Sequence, residues 1–515
     1  MRKLIALCAL GLLVGTVVLV ERSALPSLDG RNASAAFADT DTTRLGHAIT
    51  PLVEVHPGAS GLYPLLDSRD AFAARMLLAS AAERSLDVQY YIWREDMSGT
   101  LLLEALYEAA ERGVRVRLLL DDSNTSGFDP TLAALDAHRN IEVRLFNPFA
   151  IREPRAIGYL TDFFRLNRRM HNKSFTADNQ ATIIGGRNVG DEYFDATDGT
   201  VFVDLDVIAV GPVVADVSKD FDGYWASESS YPADRLLAPA DTARIARLAS
   251  AATQVERDPA AAAYVQAVRD SPFVRELIEG RLALEWAPTR MVSDDPAKAL
   301  GRASSETLVR HQLKTIIGEP AEVVELVSAY FVPGAEGVDS FASMAERGVK
   351  LRVLTNSLEA TDVAAVHAGY AKRRKALLEA GIELYELRRS SRNASAGRGG
   401  PSFGSSGSSL HAKTFAVDGV RAFIGSFNFD PRSAELNTEM GFVIDSPALA
   451  QRIETAFDAR IPARSYEVRL SDTGELYWIE RREGKESRHD TEPGTNLWQR
   501  TGLWLLSRLP IEWLL

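Results

Sequence analysis

The sequence of 515 residues is 46% hydrophobic and 25% charged, a composition typical of a globular protein long enough for two or more domains. Its net charge of −12 argues against a surface that grips nucleic acid non-specifically, although a local basic cleft is compatible with an acidic total. The single cysteine, Cys8, excludes an intrachain disulfide.

The first segment, Met1-Arg2-Lys3, is followed by residues 4–20 without a charge. This length is the lower limit for a membrane-spanning helix, so residues 1–24 are predicted to form a membrane anchor. A cleaved signal segment is the alternative, although the small-residue cleavage sites lie unusually far past the apolar stretch. The positive charges of Arg2 and Lys3 favour a cytoplasmic N-terminus. Arg22 and Arg31, on the other side of the apolar stretch, reduce this charge asymmetry.

A strand–helix–strand pattern occurs twice. The first copy runs from the β-branched and aromatic stretch 86–93, through a helical stretch, to the strand 113–120. The second copy repeats this order at 325–332 and 348–354. Such alternation predicts an α/β fold with mostly parallel sheets. The predicted units are the anchor or signal segment (1–24), a first half (40–235), a helical connection (236–302) and a second half with an apolar C-terminal tail (303–515).

Each half contains a His-x-Lys-x4-Asp motif followed by Gly-x-x-Asn. Because alternate residues of a strand share one face, each His and its Lys should point into one cleft, and a hairpin should return the Asn beside them. A single buried histidine is more often structural, but two copies with identical spacing indicate a catalytic site. The motif residues are His171, Lys173, Asp178 and Asn188 in the first copy and His411, Lys413, Asp418 and Asn428 in the second.

These motifs resemble those of the phospholipase D superfamily. Over roughly residues 60–515 the chain is similar to bacterial cardiolipin synthases, especially those of the C type, in stretches such as 90–93 and 430–433. The resemblance implies a duplicated phospholipase D fold in which two pseudo-symmetric α/β/α halves share one active site. It also implies a phosphohistidine intermediate, with His171 as nucleophile and His411 as general acid and base, an order that the pseudo-symmetry leaves open to reversal.

The motif residues suit a phosphodiester substrate, whose negative charge repels nucleophiles. Lys173 and Lys413 would offset that charge in the transition state, and Asn188 and Asn428 would donate neutral hydrogen bonds to the phosphoryl oxygens. One imidazole would attack phosphorus while the other protonates the leaving alcohol. Since the lysines supply positive charge and the histidines lack the spacing of a zinc site, neither a metal nor another cofactor is expected.

A nucleophilic imidazole needs an orienting acceptor on its other nitrogen. Alignment of the strands before Pro212 and Pro447 puts Asp204 opposite Glu439, and the resemblance gives a carboxylate at Glu439 this orienting role. Asp204 is expected to act likewise, but its spacing from the preceding motif histidine differs from that of Glu439, so Asp206 is an alternative.

The motif aspartates, Asp178 and Asp418, are counted with the catalytic residues, although a structural role is equally open to them. In that case they would pair with groups across the two halves or begin a turn.

The C-terminal tail contains Trp498, Trp504 and Trp513 among leucines, a composition that suits a bilayer interface, with docking on the core as the alternative. Together with the anchor it favours a lipid substrate. We expect a phosphatidyltransferase that moves a phosphatidyl group from one phospholipid onto phosphatidylglycerol to give cardiolipin. A phospholipase D hydrolase releasing phosphatidic acid and a membrane-tethered phosphodiesterase or nuclease are the alternatives, while the intact motifs disfavour a non-catalytic lipid-binding module.

The expected partners are the membrane and phospholipid substrates, namely phosphatidylglycerol and, as a candidate donor, phosphatidylethanolamine. No nucleic acid is expected, and the resemblance admits a small companion protein. The expected location is the bacterial inner membrane, with an N-terminal anchor and a periplasmic catalytic part.

Overall fold

The computed structural model describes residues 24–197, 199–389 and 408–515. The predicted anchor therefore lies outside the described residues, except for its last residue. Within the described ranges, each helix is too short or too polar to cross a bilayer.

The strands belong to two large sheets and one small one. In chain order they are β1 (Ser60–Leu65), β2 (Ser85–Tyr90), β3 (Arg115–Asp121), β4 (Ile141–Phe146), β5 (Ser174–Ala177), β6 (Ala181–Gly185), β7 (Phe202–Val203), β8 (Asp206–Val210), β9 (Ser230–Pro232), β10 (Glu285–Ala287), β11 (Thr289–Ser293), β12 (Val323–Ser328), β13 (Lys350–Asn356), β14 (Glu383–Leu387), β15 (Ser409–Leu410), β16 (Lys413–Val417), β17 (Arg421–Gly425), β18 (Met440–Ile444), β19 (Ser465–Leu470), β20 (Leu476–Arg482) and β21 (Lys485–His489).

The helices flank these sheets and connect their strands. They span Arg44–Glu54, Ser68–Ala81, Met97–Glu111, Asp129–Asp136, Gly158–Leu166, Asp191–Phe194, Pro212–Ala226, Thr242–Arg257, Pro259–Arg269, Pro272–Ile278, Val309–Ile317, Gly334–Glu346, Ala364–Ala371, Arg374–Glu379, Pro431–Glu435, Pro447–Thr455, Ile461–Arg464 and Leu497–Ser507, with a π-helical segment at Ala456–Arg460.

Each half contains one large sheet. The first sheet has nine strands in the order β10-β1-β8-β6-β5-β2-β3-β4-β9, and the second has ten in the order β11-β18-β17-β16-β12-β13-β14-β19-β20-β21. The α/β class and the duplication predicted from the sequence are therefore confirmed.

Parallel pairing is less extensive than predicted. It joins β2 to β3 and β3 to β4 in the first sheet, and β12 to β13 and β13 to β14 in the second. The other neighbours within the two large sheets are antiparallel, because each motif strand returns directly as a hairpin instead of through a crossover helix. The sheets are thus mixed, with a parallel centre.

Capping aspartates begin two of the helices that pack on the first sheet. The side chain of Asp67 accepts hydrogen bonds from the amides of Arg69 and Asp70, and Asp96 accepts one from Gly99. The central strands between the layers, such as β6, are buried along their whole length, which explains their nearly continuous apolar sequence.

The segment predicted as a helical connection contains helices and also strands. Helices Thr242–Arg257, Pro259–Arg269 and Pro272–Ile278 are followed by β10 and β11. Since β10 is an edge strand of the first sheet and β11 of the second, this segment extends both sheets as it links them.

Main-chain pairing and an apolar cluster join the halves. β7 pairs in parallel with β15, and Met170 forms an isolated parallel bridge with Thr438. One buried cluster combines Ile184 and Val207 of the first sheet with Ile424 of the second. The halves therefore pack as one body around their motif hairpins.

Candidate active site

The hairpins β5–β6 and β16–β17 carry the motif residues to one buried centre between the halves. His171 and His411 are only 7% and 6% exposed, and both motif lysines are buried. Burial lowers the pKa of His171 well below that of an ordinary histidine, and the charges of Lys173, Lys413 and His411 lower it further. The groups of both motifs are thus close enough to act on one another.

Each motif histidine is held by a carboxylate from the other half. His171 Nδ1 lies 2.8 Å from Glu439 Oε2, and His411 Nδ1 lies 2.6 Å from Asp204 Oδ2. The family resemblance indicated Glu439 and the alignment of the repeats indicated Asp204, but neither revealed this exchange between halves. With Nδ1 engaged by a carboxylate, Nε2 of each ring is the nitrogen left to react.

Main-chain hydrogen bonds enforce the exchange. The N–H of His171 donates to the carbonyl of Thr438 at 2.9 Å, and the N–H of His411 donates to that of Val203 at 2.7 Å. Thr438 and Val203 directly precede the two orienting carboxylates in the sequence. The backbone register between the halves therefore fixes each carboxylate beside its histidine.

Glu439 lies among several hydrogen-bond donors. The hydroxyls of Ser426 and Ser433 donate to its Oε2 and Oε1 at 2.5 and 2.8 Å. Its N–H donates to Asp294, whose carboxylate is paired with Lys298 at 2.9 Å. Burial nevertheless raises the pKa of Glu439 to about 7, so this carboxylate takes up a proton near neutral pH.

Asp204 has a different environment. Its Oδ1 accepts a hydrogen bond from the N–H of Leu205 at 2.8 Å, and a Cβ at Gly186 would overlap this carboxylate. Burial alone would raise the pKa of Asp204, but His411 and Lys413 hold it well below the usual range of an aspartate. Asp204 is therefore ionised.

Asp206, the alternative to Asp204, contacts neither histidine. Its Oδ2 accepts a hydrogen bond from Arg75 at 2.8 Å, and its Oδ1 accepts one from the N–H of Arg187 at 3.1 Å. Arg187 in turn donates to the carbonyl of Asp204 at 2.8 Å. Asp206 thus supports the turn beneath the site.

The two lysines occupy equivalent positions. Each ammonium group donates to the carbonyl of its own motif histidine, and Lys173 Nζ also lies 5.4 Å from the ring centre of Tyr91. Burial lowers the pKa of Lys173 and of Lys413, while Glu439 and Asp204 act in the opposite direction. A bound phosphodiester would favour the ammonium form of both lysines, because its negative charge stabilises the cations.

The two motif asparagines make the same backbone contact in each half. Asn188 Oδ1 accepts a hydrogen bond from the N–H of Ile92 at 3.2 Å, and Asn428 Oδ1 accepts one from the N–H of Tyr330 at 3.4 Å. This contact orients the amide nitrogen away from the donating backbone N–H. In the first half that nitrogen donates to the hydroxyl of Tyr193 at 3.0 Å.

Aromatic rings pack edge-on or tilted against the histidines. The ring centre of Tyr91 lies 5.0 Å from that of His171, and those of Tyr193 and Phe202 lie 5.3 and 5.1 Å from that of His411. Sequence reasoning singled out the stretch around Tyr91 but missed Tyr193 and Phe202. These two lie outside the repeated motif, so the comparison of the two copies gave no signal for them.

The motif aspartates lie away from this centre, contrary to their place among the predicted catalytic residues. Asp178 accepts hydrogen bonds from the amides of residues 83–85, and Asp418 accepts from those of residues 321–323. Both have a left-handed backbone conformation in a hairpin turn, roughly 20 Å along the strand from the motif histidine. Each partner belongs to the same half, so the predicted pairing across halves is wrong for these contacts.

The residues of the described ranges include no cluster of three or more His, Cys, Asp or Glu side chains suited to a metal ion. Lys173 and Lys413 place positive charge next to the histidines.

Known proteins share this sequence and fold. Residues 76–225 and 313–461 match the family model described as "Cardiolipin synthase, PLD-like domain". The chain is 51% identical over 472 residues to cardiolipin synthase C of Escherichia coli (strain K12), a match that covers 92% of this chain and 100% of that protein. It is 24% identical over 387 residues to cardiolipin synthase B of the same strain, covering 75% and 77% of the two chains.

A solved structure supports the fold. The phosphatidylserine synthase of Haemophilus influenzae Rd KW20 superposes with a TM-score of 0.52 at 12% identity, covering 82% of this chain and 92% of that one. Taken with the matched family model and the 51% identical relative, the two motif hairpins identify the lineage. The chain belongs to the phospholipase D-like cardiolipin synthase family.

Proposed function

We propose that the protein is a phosphatidyltransferase that makes cardiolipin from phosphatidylglycerol and a second phospholipid. The observation that carries the proposal is the exchange of orienting carboxylates, because it gives both motif histidines a partner on Nδ1 and leaves both Nε2 atoms to react. Two activated imidazoles are the requirement of a two-step displacement at phosphorus.

In the first step, Nε2 of one histidine attacks the phosphorus of the donor lipid. A nitrogen–phosphorus bond forms, the bond from phosphorus to the head-group oxygen breaks, and the second histidine gives its proton to the leaving alkoxide. Lys173 and Lys413 offset the negative charge on the phosphoryl oxygens, and the amides of Asn188 and Asn428 donate to them.

In the second step, the second histidine takes a proton from a glycerol hydroxyl of phosphatidylglycerol. The resulting oxygen nucleophile attacks phosphorus, the nitrogen–phosphorus bond breaks, and the first histidine is regenerated. Cardiolipin is released in this step, whereas the head-group alcohol of the donor is the product of the first step. Water in place of phosphatidylglycerol would give phosphatidic acid instead.

The charges around the two rings favour His171 as nucleophile and His411 as acid and base. Burial and the two lysines lower the pKa of His171 the more strongly, which favours the neutral imidazole that attack requires. Burial and Lys413 lower the pKa of His411 too, but the ionised Asp204 acts in the opposite direction, an influence that favours His411 as the proton carrier.

Two exposed apolar surfaces support a substrate in a bilayer. We call them the helix patch, formed by Tyr159, Leu160, Phe163 and Phe164, and the tail patch, formed by Leu497, Trp498, Trp504, Leu505, Leu509 and Trp513. Leu160 and Trp498 are each 83% exposed. Trp and Leu side chains of this kind insert into the membrane interface.

Arg432 connects the two patches to each other and to the site. It donates to the carbonyl of Asn167, just past the helix patch, at 3.0 Å, and to that of Leu514, at the end of the tail, at 3.0 Å. The next residue, Ser433, donates to Glu439. Residues next to both patches in the sequence thus meet at Arg432, whose neighbour Ser433 holds Glu439, so we expect membrane contact to bring lipid head groups towards the histidines.

Lipid product analysis tests the proposal. The purified full chain is incubated with vesicles of labelled phosphatidylglycerol, with and without phosphatidylethanolamine, and both lipids and released head groups are followed. Cardiolipin formed by the wild type and absent with folded His171→Ala and His411→Ala supports the transferase, and dependence on phosphatidylethanolamine identifies that lipid as donor.

Other products would overturn the proposal. Phosphatidic acid without cardiolipin would make the enzyme a hydrolase, and cardiolipin formed by either histidine variant would contradict the shared site. Absence of lipid turnover, both alone and with added membrane extract that supplies a companion protein, would favour a phosphodiesterase acting on another substrate.

A further inference from the structure

A cavity of about 590 Å³ lies between the halves, under the helical segment that runs from Pro447 to Arg464. Ligand cavities commonly measure about 300–1,000 Å³, so this volume is enough for part of a lipid. Its walls are mainly aliphatic, and the lining includes Leu354, Leu387, Leu410, Ile424, Leu449 and Ile453.

The inner end of the cavity reaches Asp204, on the far side of His411 from the reaction. Asp204 contacts Nδ1 of His411, whereas Nε2 is the reacting nitrogen. Ala412 and Thr414 line the cavity, while Lys413, between them on β16, points to the opposite face. The cavity is therefore separate from the reaction cleft and shares one wall with it.

Three arginines surround the outer end. Arg452, Arg460 and Arg464 line the cavity and are exposed, so the cavity reaches the surface beside them. Because all three line the cavity, they lie on the side of the helical segment that faces it. Asp204, at the inner end, is the one acidic residue among the described lining residues. The mouth is therefore cationic and the interior apolar.

The helical segment has an unusual conformation next to the cavity. It is π-helical at Ala456–Arg460, between α-helices on either side. Such wider turns occur often at functional sites. Here the wider turn contains two lining residues, Ala456 and Arg460, one on the wall and one at the mouth.

We propose that this cavity is a second lipid-binding site, which holds one acyl chain of an anionic phospholipid with the phosphate against the arginines at its mouth. Removal of methylene groups from water stabilises the buried chain, and guanidinium groups pair with phosphate oxygens. From Arg452 to Arg464 the segment is roughly 18 Å long. Arg460 and Arg464, one turn apart, can pair with one phosphate, and the rest of a phospholipid head group extends along the row of arginines, which a fatty-acid carboxylate cannot do.

Photo-crosslinking to the full chain in micelles tests the site. The probe is phosphatidylglycerol with a diazirine in one acyl chain, and the labelled peptides are identified by mass spectrometry. We expect labels on β13 around Leu354 and on the segment Leu449–Ile461. Unlabelled phosphatidylglycerol should compete at least tenfold better than phosphatidylcholine or oleate.

Two variants separate the wall from the mouth. Ala456→Trp fills the cavity and should remove the label from these peptides, while Arg452→Gln/Arg460→Gln should reduce it several-fold. The matched control, Arg482→Gln/Lys485→Gln, removes two exposed positive charges from the hairpin β20–β21 and should label like the wild type. If Ala456→Trp fails to fold by thermal melting, Ile453→Trp replaces it.

Three results would overturn the site: label that is absent from these peptides, equal competition by phosphatidylcholine, or competition by oleate alone. The choice of lipid rests on the proposed function, but the readout needs no turnover and is repeated in His171→Ala. Failure of crosslinking with cardiolipin synthesis intact would refute the cavity only. Labelled cavity peptides without any lipid turnover would refute the reaction only.

Discussion

At the scale of single residues, the two histidine–carboxylate pairs are chemically unequal. His411 faces an ionised aspartate, whereas His171 faces a glutamate that burial brings to a pKa of about 7. Equivalent positions of the duplication therefore hold different charges. This inequality gives each pair its own expected response to mutation and to pH.

Replacement of Asp204 by Asn should lower the rate of cardiolipin synthesis by about 10²–10⁴-fold, as an amide cannot stabilise a protonated His411. Glu439→Gln should act in the same direction through His171. Initial rates in phosphatidylglycerol vesicles, compared at equal amounts of folded protein, measure the effect. Loss of activity in Asp206→Asn alone, with Asp204→Asn fully active, would contradict the assignment.

Asp178→Asn should instead lower stability. It removes a carboxylate that accepts hydrogen bonds from several backbone amides, so the free energy of unfolding should fall by about 1–3 kcal/mol. The rate per folded molecule should stay near that of the wild type. Denaturant unfolding and vesicle assays on the same sample check both, and a catalytic defect without destabilisation would return Asp178 to the catalytic residues.

The rate of the first step should fall as the pH drops below about 7. The pKa of Glu439 is raised, so the carboxylate is ionised above about 7 and becomes protonated below it, which removes the negative charge that orients His171. The release of head group in a single turnover, measured from pH 5.5 to 8.5, should show this acid limb. Asp204→Asn should be slower at every pH but keep the limb, whereas a flat wild-type profile would disprove the role of Glu439.

At the scale of elements, the motif hairpins position the site. The turn after β6 is Gly-Gly-Arg-Asn, and the turn after β17 is Gly-Ser-Phe-Asn. Ser426 donates to Glu439, while its counterpart Gly186 lies against Asp204 and leaves no room for a side chain. The second residue of each turn therefore matches the space and the hydrogen bonding of the carboxylate next to it.

Gly186→Ala should reduce activity at least tenfold, because the added Cβ overlaps the carboxylate of Asp204 and moves it from His411. Gly223→Ala, on an open helix surface where a Cβ meets nothing within 4 Å, is the matched control and should be fully active. Vesicle assays with both variants measure the effect. Normal activity of Gly186→Ala would mean that the site tolerates displacement of Asp204.

Sequence patterns predicted the helices and strands better than they predicted which residues contact each other. The spacing of His171 and Lys173 predicted a hairpin with both side chains on one face, which β5 and β6 form. The family resemblance indicated Glu439, and the alignment of the repeats then indicated Asp204 at the equivalent position. The alignment could not show that each carboxylate contacts the histidine of the other half. That arrangement depends on packing between the halves, which neither repeat contains alone.

At the scale of the whole molecule, the C-terminal tail meets the first half next to residues that support the site. The tail patch comes from the C-terminal residues and the helix patch from the first half, yet Arg432 hydrogen-bonds next to both. The sequence indicated the tail by its tryptophans. The helix patch was missed, because an amphipathic helix in the middle of a domain is usually buried on its apolar side.

Loss of the apolar side chains should weaken membrane binding. We expect Leu160→Ser/Phe164→Ser, and separately Trp498→Ser/Trp504→Ser, each to reduce co-sedimentation with phosphatidylglycerol vesicles several-fold. Val55→Ser/Val420→Ser is the control, since both valines are exposed at the opposite end of the hairpins. If the control variant lost as much vesicle binding, the effect would come from overall surface hydrophobicity and not from this face of the protein.

In each half, a carboxylate orients the motif histidine of the other half, and this reciprocity bears on the ancestry of the chain. In a two-fold symmetric dimer, each subunit makes the same contact to its partner that the partner makes to it. The two halves of this chain contact each other in the same reciprocal way. Identical subunits in such a dimer must keep both centres alike, because one gene encodes them. Fusion into one polypeptide removes that constraint, and here one centre has kept Glu and Ser where the other has Asp and Gly. Covalent linkage thus permits a division of labour between two histidines that symmetry would have kept interchangeable.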